Sequence, residues 1–396
     1  MESLEQWLIK TRREFHQIPE KSFNEFKTQA LIIDILDSIG IPHKKVAGTG
    51  IVGEIKGQLE GNCIAIRADM DALEVTEILT DRNVNYISKH PGLMHACGHD
   101  AHISMVLGVG KLLNESRDNF NGTVKLIFQP AEELPPGGAK QIIQSGVLEN
   151  VDSIIGLHVF SNIESGTVIV KNGTLMASSC MFRLRLFGKG GHHSDKVSNI
   201  NPILLGAEFI DCIHKEIELY INSSDYAIGF GNFHSGEQFN RIPDEAYIDG
   251  SIRSFSIEHN KQIKHIFKKT LDEIIQAYSD ITSTQRAHYE LEMNESYPIL
   301  SNNSQYTAAV LDLLEMKFDN ISSKYDKFFG SEDFAFYLEK IPGTFLLLGS
   351  GNEQKDICES NHSNKFDIDE DILIKGTNIL YSIAIDFLES PEKYLE

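Results

Sequence analysis

Apolar residues recur along the chain with periods that change twice. Around residues 3–17 and 24–39 they return every three to four positions, the spacing of one helix face. Short apolar runs follow: Cys63-Ile-Ala-Ile-Arg-Ala-Asp, Val124-Lys-Leu-Ile-Phe-Gln and Ser153-Ile-Ile-Gly-Leu, each of a length suited to a strand covered on both faces. Helices alternating with buried strands predict an α/β fold up to about residue 177. There the pattern changes. Met181-Phe-Arg-Leu-Arg-Leu-Phe alternates apolar and basic residues, as a half-exposed antiparallel strand does. A helical stretch from Pro202, strand-like stretches from Tyr226 and Ala246, and a long amphipathic stretch over 257–279 complete this block. From about residue 291 the α/β pattern returns, with Gly330-Ser-Glu-Asp-Phe expected to cap a helix and Thr344-Phe-Leu-Leu-Leu-Gly expected as a buried strand. The expected organisation is a discontinuous α/β domain, residues 1–177 and 291–396, with a smaller α+β domain of residues 178–290 inserted into it. Its 396 residues exceed the roughly 250–300 that one core fills.

Composition narrows the partners. A formal charge of −21 excludes nucleic acid and anionic membranes, because binding phosphate needs a basic surface. No apolar run approaches the roughly 18 residues of a membrane span, and the acidic, amphipathic start Met1-Glu-Ser-Leu-Glu-Gln-Trp is not expected to act as a signal peptide. Five scattered cysteines, at 63, 97, 180, 212 and 358, make no disulfide framework and point to a reducing, cytoplasmic setting.

One segment carries unusual chemistry. Met94-His-Ala-Cys-Gly-His-Asp-Ala-His packs His95, Cys97, His99, Asp100 and His102, nearly every side-chain type that holds a transition metal, into nine residues. A helical stretch follows at once, placing Cys97 and His99 in the loop before a helix N-terminus, where the helix dipole favours a thiolate. Other candidate donors follow strand-like runs: Asp69 and Asp71, two apart and on one face if the strand persists; Glu132 and Glu133; and His158. In open α/β sheets, ligands gather beyond the carboxyl ends of the strands, where these residues fall.

At this point the chain resembles the M20 metallopeptidases, specifically the amidohydrolase branch with aminoacylases, hippurate hydrolases, auxin-conjugate hydrolases and N-acetyldiaminopimelate deacetylases. The carriers, in order, are Arg67-Ala-Asp-Met-Asp-Ala-Leu, Met94-His-Ala-Cys-Gly-His-Asp-Ala-His, Phe128-Gln-Pro-Ala-Glu-Glu, Gly156-Leu-His, Gly188-Lys-Gly-Gly-His, Asn240-Arg-Ile-Pro-Asp, Gly330-Ser-Glu-Asp-Phe and His362-Ser-Asn-Lys-Phe-Asp. The resemblance implies a zinc-exopeptidase-like catalytic domain with an inserted lid that forms a homodimer. It also implies two divalent ions held by Cys97, His99, Glu133, His158 and His362, with Cys97 in the bridging position. The chain departs from the branch at Glu74, Lys196, Val197, Asn201 and Asn364. None of these removes an implied ligand.

Two divalent ions about 3.5–4 Å apart can share a water, lower its pKa and polarise an amide carbonyl. A carboxylate not spent on the metals must then move the proton, and Glu132, beside the implied ligand Glu133, is the candidate general base. Asp71 is expected to orient a ligand such as His99. His192, after two glycines, can donate to an oxyanion, by resemblance across the dimer. Asn240 and Arg253 are candidates for a substrate carboxylate, Arg253 through its bidentate fork. The favoured reading is a metal-dependent hydrolase of N-acyl amino acids or small peptide-like conjugates. A metallo-exopeptidase or dipeptidase on short peptides, a metal-binding protein without turnover, and a thiol redox protein using Cys97 are the alternatives. Zinc or manganese suits the donors best, with cobalt or nickel also accepted.

Overall fold

Ser3 caps the first helix with a capping box: its hydroxyl accepts from the Gln6 amide, and the Gln6 side chain accepts in return. A computed structural model describes residues 2–195, 199–281 and 286–395. They fall into two units.

The first unit runs to Leu175 and includes Leu300–Asp326 and the chain from Glu332 on. Its strands are β1 (His43–Val46), β2 (Gly50–Lys56), β3 (Cys63–Asp69), β4 (Thr123–Gln129), β5 (Ser153–Glu164), β6 (Val168–Ile169), β15 (Ile321–Ser322) and β16 (Gly343–Gly351). A short pair, β7 (Gly173–Met176) with β14 (Leu300–Asn302), lies apart from this sheet. The main sheet has the order β1-β2-β4-β3-β5-β16-β6-β15. Its centre, β4-β3-β5-β16, is parallel. Every residue of β3 and β16 is buried, as their mostly apolar runs predict, with Arg67 and Asp69 of β3 buried as well.

The helices of this unit are α1 (Leu4–His16), α2 (Phe26–Ser38), α3 (His99–Glu115), α4 (Ala139–Gln144), α7 (Ser304–Lys317), α8 (Ala335–Leu338) and α9 (Ile372–Glu389). Helices α1, α3 and α9 pack on one another and share one core with the sheet, in which Leu8, Ile66, Leu107, Leu126, Leu346 and Ile383 are buried. Within it lies a buried cation: Arg12 bonds Asp100 at 2.7 Å, Asp367 at 3.2 Å and Glu370 at 3.4 Å. Asp100 is thereby tied down beside His99 at the start of α3.

The second unit comprises Met176–Ile299 and Lys327–Ser331. It holds β8 (Ser178–Phe187), β9 (Gly191–His192), α5 (Pro202–Glu218), β10 (Tyr226–Ser235), β11 (Arg241–Ile242), β12 (Glu245–Ser254), α6 (Ile257–Ile281) and β13 (His288–Tyr297). Four antiparallel strands, β10-β12-β8-β13, form its sheet. On β8 the alternation is realised: Phe182, Leu184 and Leu186 are buried while Met181, Arg183 and Arg185 are exposed. Phe182, Phe209 and Phe267 pack edge to face beneath α5 and α6.

The chain returns to the first unit at Leu300, later than residue 291. The reason is register: Leu291 of β13 pairs with Leu184 of β8 and so belongs to the antiparallel sheet. Residues 327–331 also go with the second unit, since the Ala177 amide donates to the Phe328 and Gly330 carbonyls. The helix after Gly330-Ser-Glu-Asp-Phe is only the four residues of α8, and the Glu332 side chain accepts from the Phe334 amide. Among the described residues, no helix is long and apolar enough to cross a membrane.

Candidate metal centre

Four segments of the first unit deliver donors to one place, beyond or near the carboxyl ends of the central parallel strands. Cys97 lies in the loop before α3, and His99 is that helix's first residue. Between them Gly98 adopts φ +86°, and a Cβ there would stand 2.3 Å from Val159 Cγ2, so the turn admits only glycine. Glu132 and Glu133 follow β4, His158 lies within β5, and His362 comes from the loop after β16. His362 has φ +71°, and its amide donates to the Ala96 carbonyl at 2.7 Å, which fastens the loop to the segment carrying Cys97.

The geometry is tight. Cys97 Sγ lies 3.3 Å from His158 Nε2 and 3.3 Å from His362 Nε2. Glu133 Oε1 lies 3.3 Å from His362 Nε2 and 3.9 Å from His99 Nε2. Cys97, His99 and His158 form one cluster of donors within 4.8 Å, and Cys97, Glu133 and His362 another, so the sulfur belongs to both. His99 Nδ1 donates to the Asp71 carbonyl at 2.8 Å and His158 Nδ1 to the Val159 carbonyl at 2.8 Å. Both rings thus turn an unprotonated Nε2 to the cluster in the neutral form, the arrangement of a metal-binding histidine. His99 Nε2 and Glu133 Oε1 are buried with no hydrogen-bond partner. Orphaned buried donors and acceptors are costly, and divalent cations satisfy both, so this set fits two metal ions.

The electrostatics point the same way. Burial pushes the Cys97 thiol well above its usual range, and Glu133, Glu132 and Asp69 push it further. Without a metal the thiol is thus favoured over the thiolate expected from the helix dipole: burial first, and then three nearby carboxylates, outweigh half a unit of dipole charge. Burial lowers the His99 value, but Asp69 and Asp71 raise it more, to about 10. Burial holds His158 neutral. A cation held by His99 and Cys97 would have to displace their protons, so its affinity should climb as pH rises toward 10. Loading the metal-free protein with zinc near neutrality is expected to release about two protons per chain from these residues. Calorimetry in two buffers of different ionisation enthalpy measures this, and uptake without proton release would contradict the assignment.

Around the donors stands a shell of buried carboxylates. The Asp71 carboxylate accepts from the Glu132 and Glu133 amides, each at 3.0 Å, and from Ser22 Oγ at 2.7 Å, while standing 3.3 Å from His99 Nδ1. It thus steadies three residues of the cluster rather than His99 alone. Asp71 and Asp69 do not share a strand face, because β3 ends at Asp69. Asp69 instead holds His102 Nδ1 at 2.6 Å, and His102 Nε2 accepts from the Val159 amide at 3.0 Å, so both nitrogens of that ring are engaged. Asp100 is bound to Arg12 and His16. His95 is buried but belongs to none of the donor groups, and its ring lies 6.4 Å from that of His16. Of the five candidate donors between His95 and His102, then, Cys97 and His99 face Glu133.

Glu132 is 6 % exposed. Its carboxylate groups with His99 and Glu133 on one side and with Glu332 and Asp333 on the other. Burial raises its pKa well above the ordinary range, and Glu332, Glu133 and Asp333 add to that. Sequence reasoning assigned no role to Glu332, Asp333 or Arg67. Arg67 is buried and bonds Asp69 at 2.7 Å, Asp333 at 2.8 Å and Glu332 at 3.0 Å. The adjacent acids of Gly330-Ser-Glu-Asp-Phe were a visible signal, but nothing local names a partner 266 residues away.

The second unit holds the remaining candidates. His192 is an exposed residue of β9, paired with Arg241, and its Nδ1 lies 2.7 Å from Ser194 Oγ. The Asn240 carbonyl accepts from the His193 amide at 3.2 Å. Arg253, on β12, donates to Ser331 Oγ. Among the sequence departures, Asn201 caps α5 by accepting from the Ile203 amide, Glu74 pairs with Lys21, and the Asn364 carbonyl accepts from the Ile78 amide at 2.9 Å. Lys196 and Val197 lie outside the described residues.

Residues 65–386 match peptidase family M20/M25/M40. Thermostable carboxypeptidase 2 of Saccharolobus solfataricus is 36 % identical over 394 residues, covering 98 % of this chain and 97 % of that protein. N-acetyl-L-cysteine deacetylase of Bacillus subtilis is 36 % identical over 395 residues, 99 % of this chain and 91 % of its own. A solved structure from Bacillus subtilis, described as a dinuclear metal binding peptidase from the M20 family, is similar with a TM-score of 0.83 at 32 % identity, over 98 % of this chain and 99 % of that one.

Proposed function

The chain belongs to peptidase family M20/M25/M40 and is a metal-dependent amidohydrolase using two divalent ions, and from that premise we propose how its residues divide the work. Cys97, His99, Glu133, His158 and His362 hold the ions, with Cys97 shared. The observation that carries this is the pair of orphaned atoms, His99 Nε2 and Glu133 Oε1, buried beside a thiol common to both clusters. When bound, such ions polarise the scissile carbonyl and acidify water.

Glu132 is the proton carrier. Its carboxylate takes a proton from the attacking water and gives it to the departing amine nitrogen. Asp71 keeps Glu132 and Glu133 aimed through their amides. We assign His192 of a second copy to the oxyanion, and Asn240 and Arg253 to the substrate carboxylate, where the guanidinium fork suits a bidentate contact. Zinc or manganese is the proposed metal, since one thiolate with imidazoles and carboxylates suits both. A homodimer in the cytoplasm completes the proposal; five free thiols suit a reducing compartment, and the charge of −21 disfavours nucleic acid and anionic lipid as partners.

The substrates proposed are N-acyl amino acids and small peptide-like conjugates, a reading supported by similarity to a deacetylase. Similarity to a carboxypeptidase at the same identity favours short peptides as the second reading. Both substrates present a free carboxylate beside the scissile amide. The test is a panel of N-acetyl amino acids, their carboxyl-blocked amides and dipeptides, offered to zinc- and manganese-loaded protein. N-acetyl amino acids are expected to lead, with a loss of about tenfold or more in kcat/KM on blocking the carboxylate, as for removal of a charged hydrogen bond. Faster cleavage of the dipeptides would transfer the assignment to the second reading.

A further inference from the structure

Glu25 is a fully buried carboxylate on the N-cap of α2, remote in sequence from every residue assigned above. Its Oε1 accepts from the Ala131 amide at 2.9 Å and from the Phe23 amide at 2.9 Å. Its Oε2 accepts from Thr49 Oγ1 at 2.5 Å. Among the described residues it makes no ion pair with a cation, so hydrogen bonds alone hold it; burial pushes its carboxyl up to about 7.

What it grips is the loop that carries the proton carrier. Ala131 has φ +53°, a left-handed conformation costing a non-glycine residue roughly 1–2 kcal/mol. Both polar groups of Ala131 are engaged: the amide by Glu25, the carbonyl by the Gly138 amide at 3.0 Å. The next two amides, of Glu132 and Glu133, go to Asp71. Three successive amides are thus captured by two buried carboxylates from separate parts of the chain. In a turn this sharp, the direction of each amide sets the direction of the side chain beside it.

We infer that Glu25 is a positioning residue for the reaction: by fixing Ala131 in its strained conformation it aims Glu132 and Glu133. The inference rests on the roles given to those two residues. Among the described residues, no hydrogen bond or ion pair given for Glu25 goes to a metal donor; it reaches the loop through the Ala131 amide. Neutral glutamine can do the same work, since its carbonyl oxygen accepts from both amides and its NH2 donates to the Thr49 hydroxyl. Aspartate cannot, because it withdraws the carboxylate by about 1.5 Å, one carbon–carbon bond.

The test compares Glu25→Gln, Glu25→Asp and Glu25→Ala in the full-length, metal-loaded enzyme. Misplacing a reacting group by about 1 Å can cost on the order of a hundredfold. Glu25→Asp and Glu25→Ala are therefore expected to lower kcat by about ten- to a hundredfold, with KM changed by less than about threefold. Glu25→Gln should stay within about threefold of wild type. Protein loaded with cobalt(II) supplies a readout apart from turnover: its visible ligand-field spectrum should shift in the Asp and Ala variants, as Glu133 moves, and match wild type in Gln. Folded Asp or Ala variants with wild-type kcat and spectrum overturn the inference, even if their melting temperatures fall. Where the shortened variants do not fold, Glu25→Gln decides: a tenfold loss of kcat overturns positioning by hydrogen bond, and retained kcat with an unchanged spectrum supports it. Glu132→Gln run alongside separates the two readings, because normal turnover there removes the proton carrier's role while the cobalt spectrum still reports on Glu133.

Discussion

Glu132→Gln is expected to bind both metal ions and lose about a hundred- to ten-thousandfold in kcat, the usual contribution of a positioned general base. That range corresponds to about 2.7–5.5 kcal/mol of transition-state stabilisation. Glutamine preserves the shape and the amide that donates to Asp71, so the loop should keep its course. None of the five proposed metal donors is changed. Burial and the neighbouring Glu332, Glu133 and Asp333 already push this carboxyl toward its neutral form, so a neutral isostere adds no charge penalty. Stability should accordingly hold while turnover collapses, an outcome that a purely structural Glu132 would not produce. Metal analysis, thermal denaturation and steady-state kinetics on one preparation make the comparison. A mutant keeping more than about a tenth of wild-type kcat, well outside the range for a lost base, would pass the role to another carboxylate, with Glu332 next in place.

Cys97→Ala should fail differently, losing metal and activity together. The sulfur is the one donor common to both clusters, 3.3 Å from His158 on one side and from His362 on the other. On the proposed assignment, removing it would take a ligand from both ions at once. His99→Ala removes a donor from one cluster and so is expected to leave more metal bound than Cys97→Ala. Loss of even an outer hydrogen bond at a metal site costs about 10–100-fold in affinity, and loss of a direct ligand should exceed that. Equilibrium dialysis against zinc and manganese, followed by elemental analysis, measures the difference. Two tightly held ions per chain in Cys97→Ala, with normal turnover, would sink the shared-sulfur assignment.

Local pattern carried much of the architecture. The capped helix at Ser3, the buried strands β3 and β16 and the alternation of β8 all follow from side-chain periodicity and short-range sterics, which act within a few residues. So does the gathering of acids and histidines beyond the central strands, because a parallel sheet leaves its carboxyl ends open to ligands. The residues 94–102 announced metal chemistry by type alone. Their division of labour was not legible there. Helical rotation after Gly98 sends Asp100 to Arg12 and His102 to Asp69, while His99 faces Glu133.

Tertiary structure decided the rest. His362 meets Cys97 across 265 residues, Arg67 finds Asp333 across 266, and Glu25 finds Ala131 across 106. Leu291 looked like a return to the α/β domain until β13 paired with β8. The Cys97 thiol illustrates the physical reason. A helix N-terminus read in one dimension predicts a thiolate, but burial and three carboxylates brought from β3 and β4 reverse the sign. Periodicity is a property of neighbours in sequence, and the chain displays it openly. Desolvation and charge–charge energy depend on which distant segments the core brings together, and no stretch of sequence states that by itself.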